Sequence, residues 1–114
     1  MNVDNVFEYF YGRKGKQLVV GEGKEVKLIT VRKGDISLDE MILGFKYRNN
    51  EIAVYISKPR KEELRLQFNK NIPGLQVETY TPVEKLDSTL LIYLGKFVEE
   101  ADKELKFKLF DWRG

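Results

Sequence analysis

The chain has 114 residues, and its 20 basic and 18 acidic side chains leave a net charge of only +2. It contains no cysteine and no histidine, which excludes disulfides, thiolate nucleophiles, zinc fingers and catalytic triads built on imidazole. This length is typical of one ordinary domain, and we therefore predict a single domain over residues 1–114.

The N-terminal part of the chain predicts one helix followed by a hairpin. Asp4 can cap a short helix that ends at Tyr11, and Gly12 favours its termination. Gln17–Val20 is typical of a strand, and Glu25–Arg32 alternates its two faces as a partner strand does. The glycine-rich residues between these segments predict a turn, so the two strands should pair.

The middle of the chain predicts a second, clearer hairpin. Gly44–Arg48 and Glu51–Ser57 are both typical of strands, and Asn49-Asn50 suits a two-residue turn because asparagine tolerates a positive φ. Just before this hairpin, Ser37 and Glu40 form a capping box, which predicts a helix of about one turn.

The remaining chain predicts a further strand and a dominant helix. Pro59–Lys70 fits both a helix and a strand, and its run of good helix formers favours the helix. Leu75–Tyr80 is typical of a strand. From Pro82 to about Phe107, apolar residues recur every three or four positions, which predicts one long helix, unbroken or restarting at Asp87. The expected fold is α+β: a small antiparallel sheet of about five strands packed against this C-terminal helix.

Basic residues are concentrated in one part of the chain, and this concentration suggests a nucleic-acid partner. Residues 13–33 contain seven cations and two carboxylates. Such a local surplus can attract phosphates even when the whole chain is nearly neutral. The candidate phosphate contacts are Arg13, Lys14, Lys16, Lys24, Lys27, Arg32 and Lys33.

Aromatic and basic residues also interleave in the second hairpin. Phe45, Lys46, Tyr47 and Arg48 are consecutive, and Tyr55 follows on the returning strand. Proteins that bind single strands use cations for the backbone and aromatic faces for the bases. Strand alternation puts Phe45 and Tyr47 on one face, so they reach bases only if that face is not the core. We expect a non-catalytic protein that binds single-stranded nucleic acid and needs no cofactor or metal.

The C-terminal helix has apolar residues on two sides, which favours a homo-oligomer. One side would cover the sheet and the other would meet a second chain. A protein-interaction or scaffold domain is therefore the alternative function. The candidate interface residues are Leu90, Leu94, Phe97, Phe107, Phe110 and Trp112.

An Mg²⁺-dependent nuclease is the third interpretation. Glu25-Val26-Lys27 and Glu104-Leu105-Lys106 both match an E-x-K pattern, and oxygen ligands suit Mg²⁺. Chance alone produces this pattern in a chain rich in lysine and glutamate, so a non-enzymatic role is preferred. No apolar run approaches the roughly 18 residues of a membrane span, and we expect a cytoplasmic protein without membrane contact. Abundant lysine and glutamate without cysteine also resemble thermophile composition.

Overall fold

The computed structural model describes residues 3–34, 40–60, 63–70 and 74–113, with side chains described for 5–34, 40–59, 63–70 and 74–103. Over these residues the chain forms two helices and six strands, and a 3₁₀ turn at Val83–Lys85 precedes the second helix. The elements are α1 Val3–Tyr11, β1 Gln17–Val20, β2 Lys24–Lys33, β3 Glu40–Tyr47, β4 Asn50–Arg60, β5 Glu63–Lys70, β6 Leu75–Pro82 and α2 Leu86–Arg113.

The six strands form one curled sheet in the order β1 to β6, and each strand is antiparallel to its neighbours. Short connections favour this order, because antiparallel neighbours need only a tight turn between them. The α+β prediction, with an antiparallel sheet and a C-terminal helix, is confirmed. The strand count is six rather than about five.

The additional strand is β5, in the segment for which a helix was preferred. Leu64, Leu66 and Phe68 alternate inward along it, and all three are buried. The helix preference over Pro59–Lys70 was therefore wrong: burial of every second side chain outweighs the weak local propensity of the charged residues before them.

The turn between β3 and β4 is displaced by one residue from its predicted position. Tyr47 pairs with Asn50, so Arg48 and Asn49 form the turn, and Arg48 takes the positive φ of 54°. In this turn the Arg48 guanidinium lies 3.3 Å from Asp102 of α2, a long-range contact that local turn preferences do not contain. The helix predicted from Ser37 would begin within residues 35–39, which lie outside the described set, and Glu40 of its capping box is the first residue of β3.

Both helices pack on the same face of the sheet, which we call the inner face. Val6 and Phe10 of α1 join the buried side chains of all the strands except β6, whose Leu75 and Val77 pack at the margin. The Phe68 ring stacks on the Tyr93 ring with 5.3 Å between their centroids, and the centroid of the Phe97 ring lies 5.8 Å from that of Phe68. The core is therefore a layer between the sheet and the two helices.

The apolar periodicity of the C-terminal helix is confirmed as its sheet-facing side. Leu90, Leu94 and Phe97 are fully buried against the chain's own sheet. The predicted oligomer interface therefore loses these three residues, because a side chain in the core cannot also meet a second chain. The side chains of Phe107, Phe110 and Trp112 lie outside the described set. Within the described residues, neither helix has the length and apolar character that crossing a bilayer demands.

Candidate functional site

The hairpin aromatics divide between the two faces of the sheet. Phe45 is 0% exposed and Tyr47 is 4% exposed, and both point into the core. The predicted stacking role required an open face, so Phe45 and Tyr47 cannot have it. Tyr55 points to the opposite face, because its neighbours Val54 and Ile56 are buried inward. Of the three aromatics, Tyr55 alone is placed where a base could reach it.

The cations between residues 13 and 33 do not form one patch. Arg13 lies over the ring of Tyr9 at 3.6 Å, and Lys33 lies over the ring of Phe7 at 5.2 Å. Lys24 and Lys33 stand at opposite ends of β2, about 30 Å apart at roughly 3.3 Å per residue. The sequence surplus is real, but the fold distributes it over several surfaces.

One of these cations does meet a residue of the second hairpin. Lys27 pairs in register with Lys46, and both side chains are exposed on the face away from the helices. Arg32 lies further along the same face of β2, while Lys14 and Lys16 are exposed in the connection from α1 to β1. Arg48 is held elsewhere, with its guanidinium 3.3 Å from Asp102.

The face opposite the helices, which we call the open face, carries no helix among the described residues. A groove of about 540 Å³ crosses it, a volume within the roughly 300–1,000 Å³ of ordinary ligand sites. Its floor is a row of outward residues joined by the strand register from β2 to β6. That row is Thr30, Gly44, Ala53, Asn69 and Gln76.

The groove is deep at its centre because the central residues of that row are small. A Cβ atom on Gly44 would lie 2.9 Å from the Cβ of Thr30, closer than real side chains approach. Glycine is therefore required by the tight approach of β2, which has a register irregularity between Leu28 and Thr30. This irregularity also places Ile29 on the groove wall.

The two rows beside the floor flank the groove, and each contributes one lining residue. On one side that residue is Tyr55, which the register joins to Ile42 and Gln67. On the other side it is Glu51, which pairs with Lys46, and Lys46 pairs with Lys27. The groove thus combines one half-buried aromatic ring, several neutral polar groups, Glu51 and the buried Lys70, while the Lys27–Lys46 pair lies beside Glu51, next to the lining.

Charges on the open face are mixed rather than uniformly basic. Glu51 opposes Lys46 across the strands. Near the β6 edge, Arg65 Nε lies 3.0 Å from Glu78 Oε1, and the Tyr80 hydroxyl donates to the same oxygen at 2.9 Å. The hydrogen bond from Arg65, then that from Tyr80, holds the pKa of Glu78 below its ordinary value. Only a small number of phosphates can therefore be neutralised here.

A separate polar cluster ties α2 to the tips of two hairpins. The Tyr47 hydroxyl donates to Asp102 Oδ1 at 2.9 Å, and Lys24 Nζ and Arg48 Nη1 each lie 3.3 Å from this carboxylate. Burial raises the pKa of Asp102, but the bond from Tyr47 and the two cations outweigh it, so the net pKa is lowered. Burial, then the bond to Asp102, raises the pKa of Tyr47. The cluster is a clasp that fixes the helix on the sheet.

The described side chains contain no group of three or more acidic residues that could hold a metal ion. Glu25 and Lys27 of the first E-x-K match lie on β2, and the second match has its side chains outside the described set. The described part of the chain therefore shows no arrangement of carboxylates that would support the nuclease interpretation.

Sequence reasoning missed the floor of the groove. Its residues are uncharged and small, so composition and charge runs do not mark them. The usable signal was Gly44 between two buried residues of a strand, since an interior strand glycine often marks a close backbone approach. Comparisons with family models, curated proteins and solved structures found no match to this chain. The site must therefore be interpreted from its own chemistry.

Proposed function

We propose that this protein binds single-stranded nucleic acid on the open face of its sheet, without catalysing a reaction. The observation that carries this proposal is the groove lined by Tyr55, with the Lys27–Lys46 pair on the same face beside Glu51 of its lining. The open face thus offers an aromatic ring for stacking and cations for the backbone, the two components that single-strand binding uses, with neutral polar groups between them.

The groove suits bases better than phosphates. Tyr55 offers a ring face, and a stacked base contributes about 1–3 kcal/mol on such a ring. Asn69 and Gln76 line the same groove, and each carboxamide offers both donors and an acceptor to the edge of a base. A base on Tyr55 would therefore lie over the small residues Gly44 and Ala53, with amides at its edge.

The phosphate contacts would come from Lys27 and Lys46. Like charges directly opposite one another on paired strands are unfavourable, and a bound phosphate would relieve that repulsion. Glu51 offsets part of the charge from the far side of Lys46. Electrostatics should therefore supply a minor share of the affinity, with stacking supplying the larger share.

Salt dependence distinguishes this site from a general basic surface. Each neutralised phosphate of a single strand adds roughly −0.7 to the slope of log affinity against log salt. Two lysines predict a slope near −1.4, whereas all seven cations of residues 13–33 would give about −5. Fluorescence anisotropy of a labelled deoxythymidine oligomer between about 50 and 200 mM salt measures this slope.

Replacement of the aromatic wall tests the proposal directly. Tyr55→Leu keeps an apolar side chain but removes the stacking face, and we expect affinity to fall roughly 5- to 100-fold. Tyr80→Leu is the matched control, because Tyr80 is on the open face of β6 yet does not line the groove. Equal losses in both variants, or no binding by the unaltered chain at 50 mM salt, would overturn the proposal.

The free edge of the sheet favours protein interaction as a second candidate. Among the described residues, no strand pairs with the outer edge of the eight-residue β6. An exposed edge is a template for another strand. Pro82 has no backbone N–H to donate, but it is only the last residue of β6. If β6 pairs with a second copy, light scattering should give a dimer, and Tyr80→Lys should dissociate it. The predicted oligomer through Phe107, Phe110 and Trp112 would be insensitive to that change.

A further inference from the structure

A second cavity lies on the other side of the sheet, between the two helices. It has a volume of about 160 Å³ and is lined mainly by apolar side chains from α1, β1, β2 and α2. Phe10, Leu28 and Leu90 are fully buried and form its base. Leu18 and Leu91 are partly accessible and border its opening.

Charged side chains surround the opening but leave it electrically balanced. The Tyr9 hydroxyl donates to Asp87 Oδ2 at 2.6 Å and so joins α1 to the first turn of α2. The Arg13 guanidinium lies over the Tyr9 ring at 3.6 Å, and its Nη1 donates to the Tyr9 carbonyl oxygen at 3.0 Å. One cation and one carboxylate flank the entrance, so neither an anion nor a cation is favoured there.

We propose that this cavity binds a small uncharged aromatic molecule of about six to nine non-hydrogen atoms. An engineered apolar cavity of about 150 Å³ in another protein stays dry and takes up benzene, so the volume here matches a single ring or a small fused ring. The lining supplies ring and methyl surface from Phe10, Leu28 and Leu90, which favours a flat apolar ligand. Tyr9 and Asp87, joined by their hydrogen bond, are part of the lining.

This site is independent of the open-face groove. The cavity is bordered by inward side chains such as Leu18 and Leu28, whereas the groove is bordered by outward ones such as Thr30 and Ala53. The sheet lies between the two sites, so either can be present without the other.

The test uses the full chain, with indole as the probe and ¹³C-methyl NMR as the readout. We expect saturable shifts of the Leu18, Leu28 and Leu90 methyl groups and intermolecular NOEs from indole protons to them. Shifts that grow linearly up to the solubility limit of indole, or NOEs to groove residues such as Ile29 instead, would overturn the proposal.

A pair of neighbouring substitutions supplies the control. Leu18→Trp fills the cavity with an indole ring of its own, and we expect it to weaken indole binding at least 10-fold. Val19→Trp places the same side chain on the opposite face, at a position that is 62% exposed, and should bind indole as the unaltered chain does. Unchanged binding in a folded Leu18→Trp chain would contradict the assignment. If Leu18→Trp does not fold, Leu91→Phe replaces it, because a phenyl ring there narrows the entrance. We expect Leu91→Phe to weaken indole binding and Ile92→Phe, its control, to leave binding unchanged. Unchanged binding in Leu91→Phe would contradict the assignment.

Discussion

The inner and open faces of the sheet come from the same six strands, yet they differ in what each alternate residue contributes. Along β3, Met41, Leu43 and Phe45 point inward and are fully buried, while Gly44 and Lys46 alternate with them and point to the open face. The inner face is a close-packed layer under two helices, and the open face is a groove with a small-residue floor. Stability should therefore depend mainly on the inner face, and binding on the open face.

The largest effect should follow a charge placed in the inner layer. Leu94 is 0% exposed at the centre of α2, and Leu94→Asp both removes apolar packing and buries a carboxylate. We expect a loss of at least about 4 kcal/mol in the free energy of unfolding, enough to unfold much of the protein. Urea denaturation followed by circular dichroism measures it.

Ile92→Asp on the same helix is the control for that variant. Ile92 is 58% exposed, so the same substitution should change the free energy of unfolding by less than about 1 kcal/mol. Comparable losses in the two variants would mean that α2 does not present its Leu94 side to the sheet.

The next effect concerns the floor of the groove, where one substitution should change both stability and oligonucleotide binding. Gly44→Ala puts a methyl group against Thr30 and should cost about 1–3 kcal/mol as an overpacked contact. Adding Thr30→Gly removes the opposing Cβ, so the double variant should be more stable than additivity predicts by at least about 0.5 kcal/mol. Strict additivity would show that the close approach is absent. Gly44→Ala should also weaken oligonucleotide binding, since it raises the floor.

A smaller effect should come from the clasp between α2 and the hairpins. Asp102→Asn keeps the shape of the side chain but removes the charge that faces Lys24 and Arg48, at a cost of about 1 kcal/mol at neutral pH. The native pKa of Asp102 lies below its ordinary value of 3.8. Its carboxylate therefore stabilises the fold above that value and stops doing so as pH falls through the lowered native pKa.

The difference in stability between the unaltered chain and Asp102→Asn should accordingly shrink as the pH falls below about 4. Thermal unfolding of both proteins between neutral and acidic pH gives this difference. A gap that stays constant, or that widens on acidification, would show that Asp102 is not held ionised by its neighbours.

The smallest effect belongs to the ion pair at the β6 edge. Arg65 and Glu78 are both more than one-third exposed, and exposed ion pairs contribute little because water screens them. Arg65→Ala should leave the midpoint of urea unfolding unchanged within error. A clear shift in that midpoint would show that this ion pair on the open face stabilises the fold, contrary to the expectation that stability depends mainly on the inner face.

Elements with strong apolar periodicity could be predicted from the sequence. α1, β1 and β2 were placed within two residues at each end, because each buries a regular stripe. The β3–β4 hairpin and α2 were also predicted, but β3 begins four residues earlier than expected and α2 ends about six residues later. β5 was missed because Leu64 and Phe68 fit both a helix and a strand, and only the neighbouring strands decide between them. The turn lies at Arg48 and Asn49 rather than at Asn49 and Asn50, and there Arg48 contacts Asp102 of α2, a long-range partner that local turn preferences do not contain.

The candidate site was less predictable than the fold. Alternation correctly separated Phe45 from Lys46, but a single sequence does not show which of the two faces the helices cover. The surplus of positive charge in residues 13–33 was counted along the sequence, but in the fold the cations at the two ends of β2 lie about 30 Å apart. The floor of the groove depends on register across five strands, which no local pattern contains.

Where a single strand binds is measured by ¹⁵N NMR mapping of a deoxythymidine oligomer on the unaltered chain at about 50 mM salt. If it binds on the open face, we expect saturable shifts at the amides of Thr30, Gly44, Ala53 and Asn69, with the buried helix positions around Leu94 unmoved. Shifts confined to the helices, or no shifts at all, would contradict it.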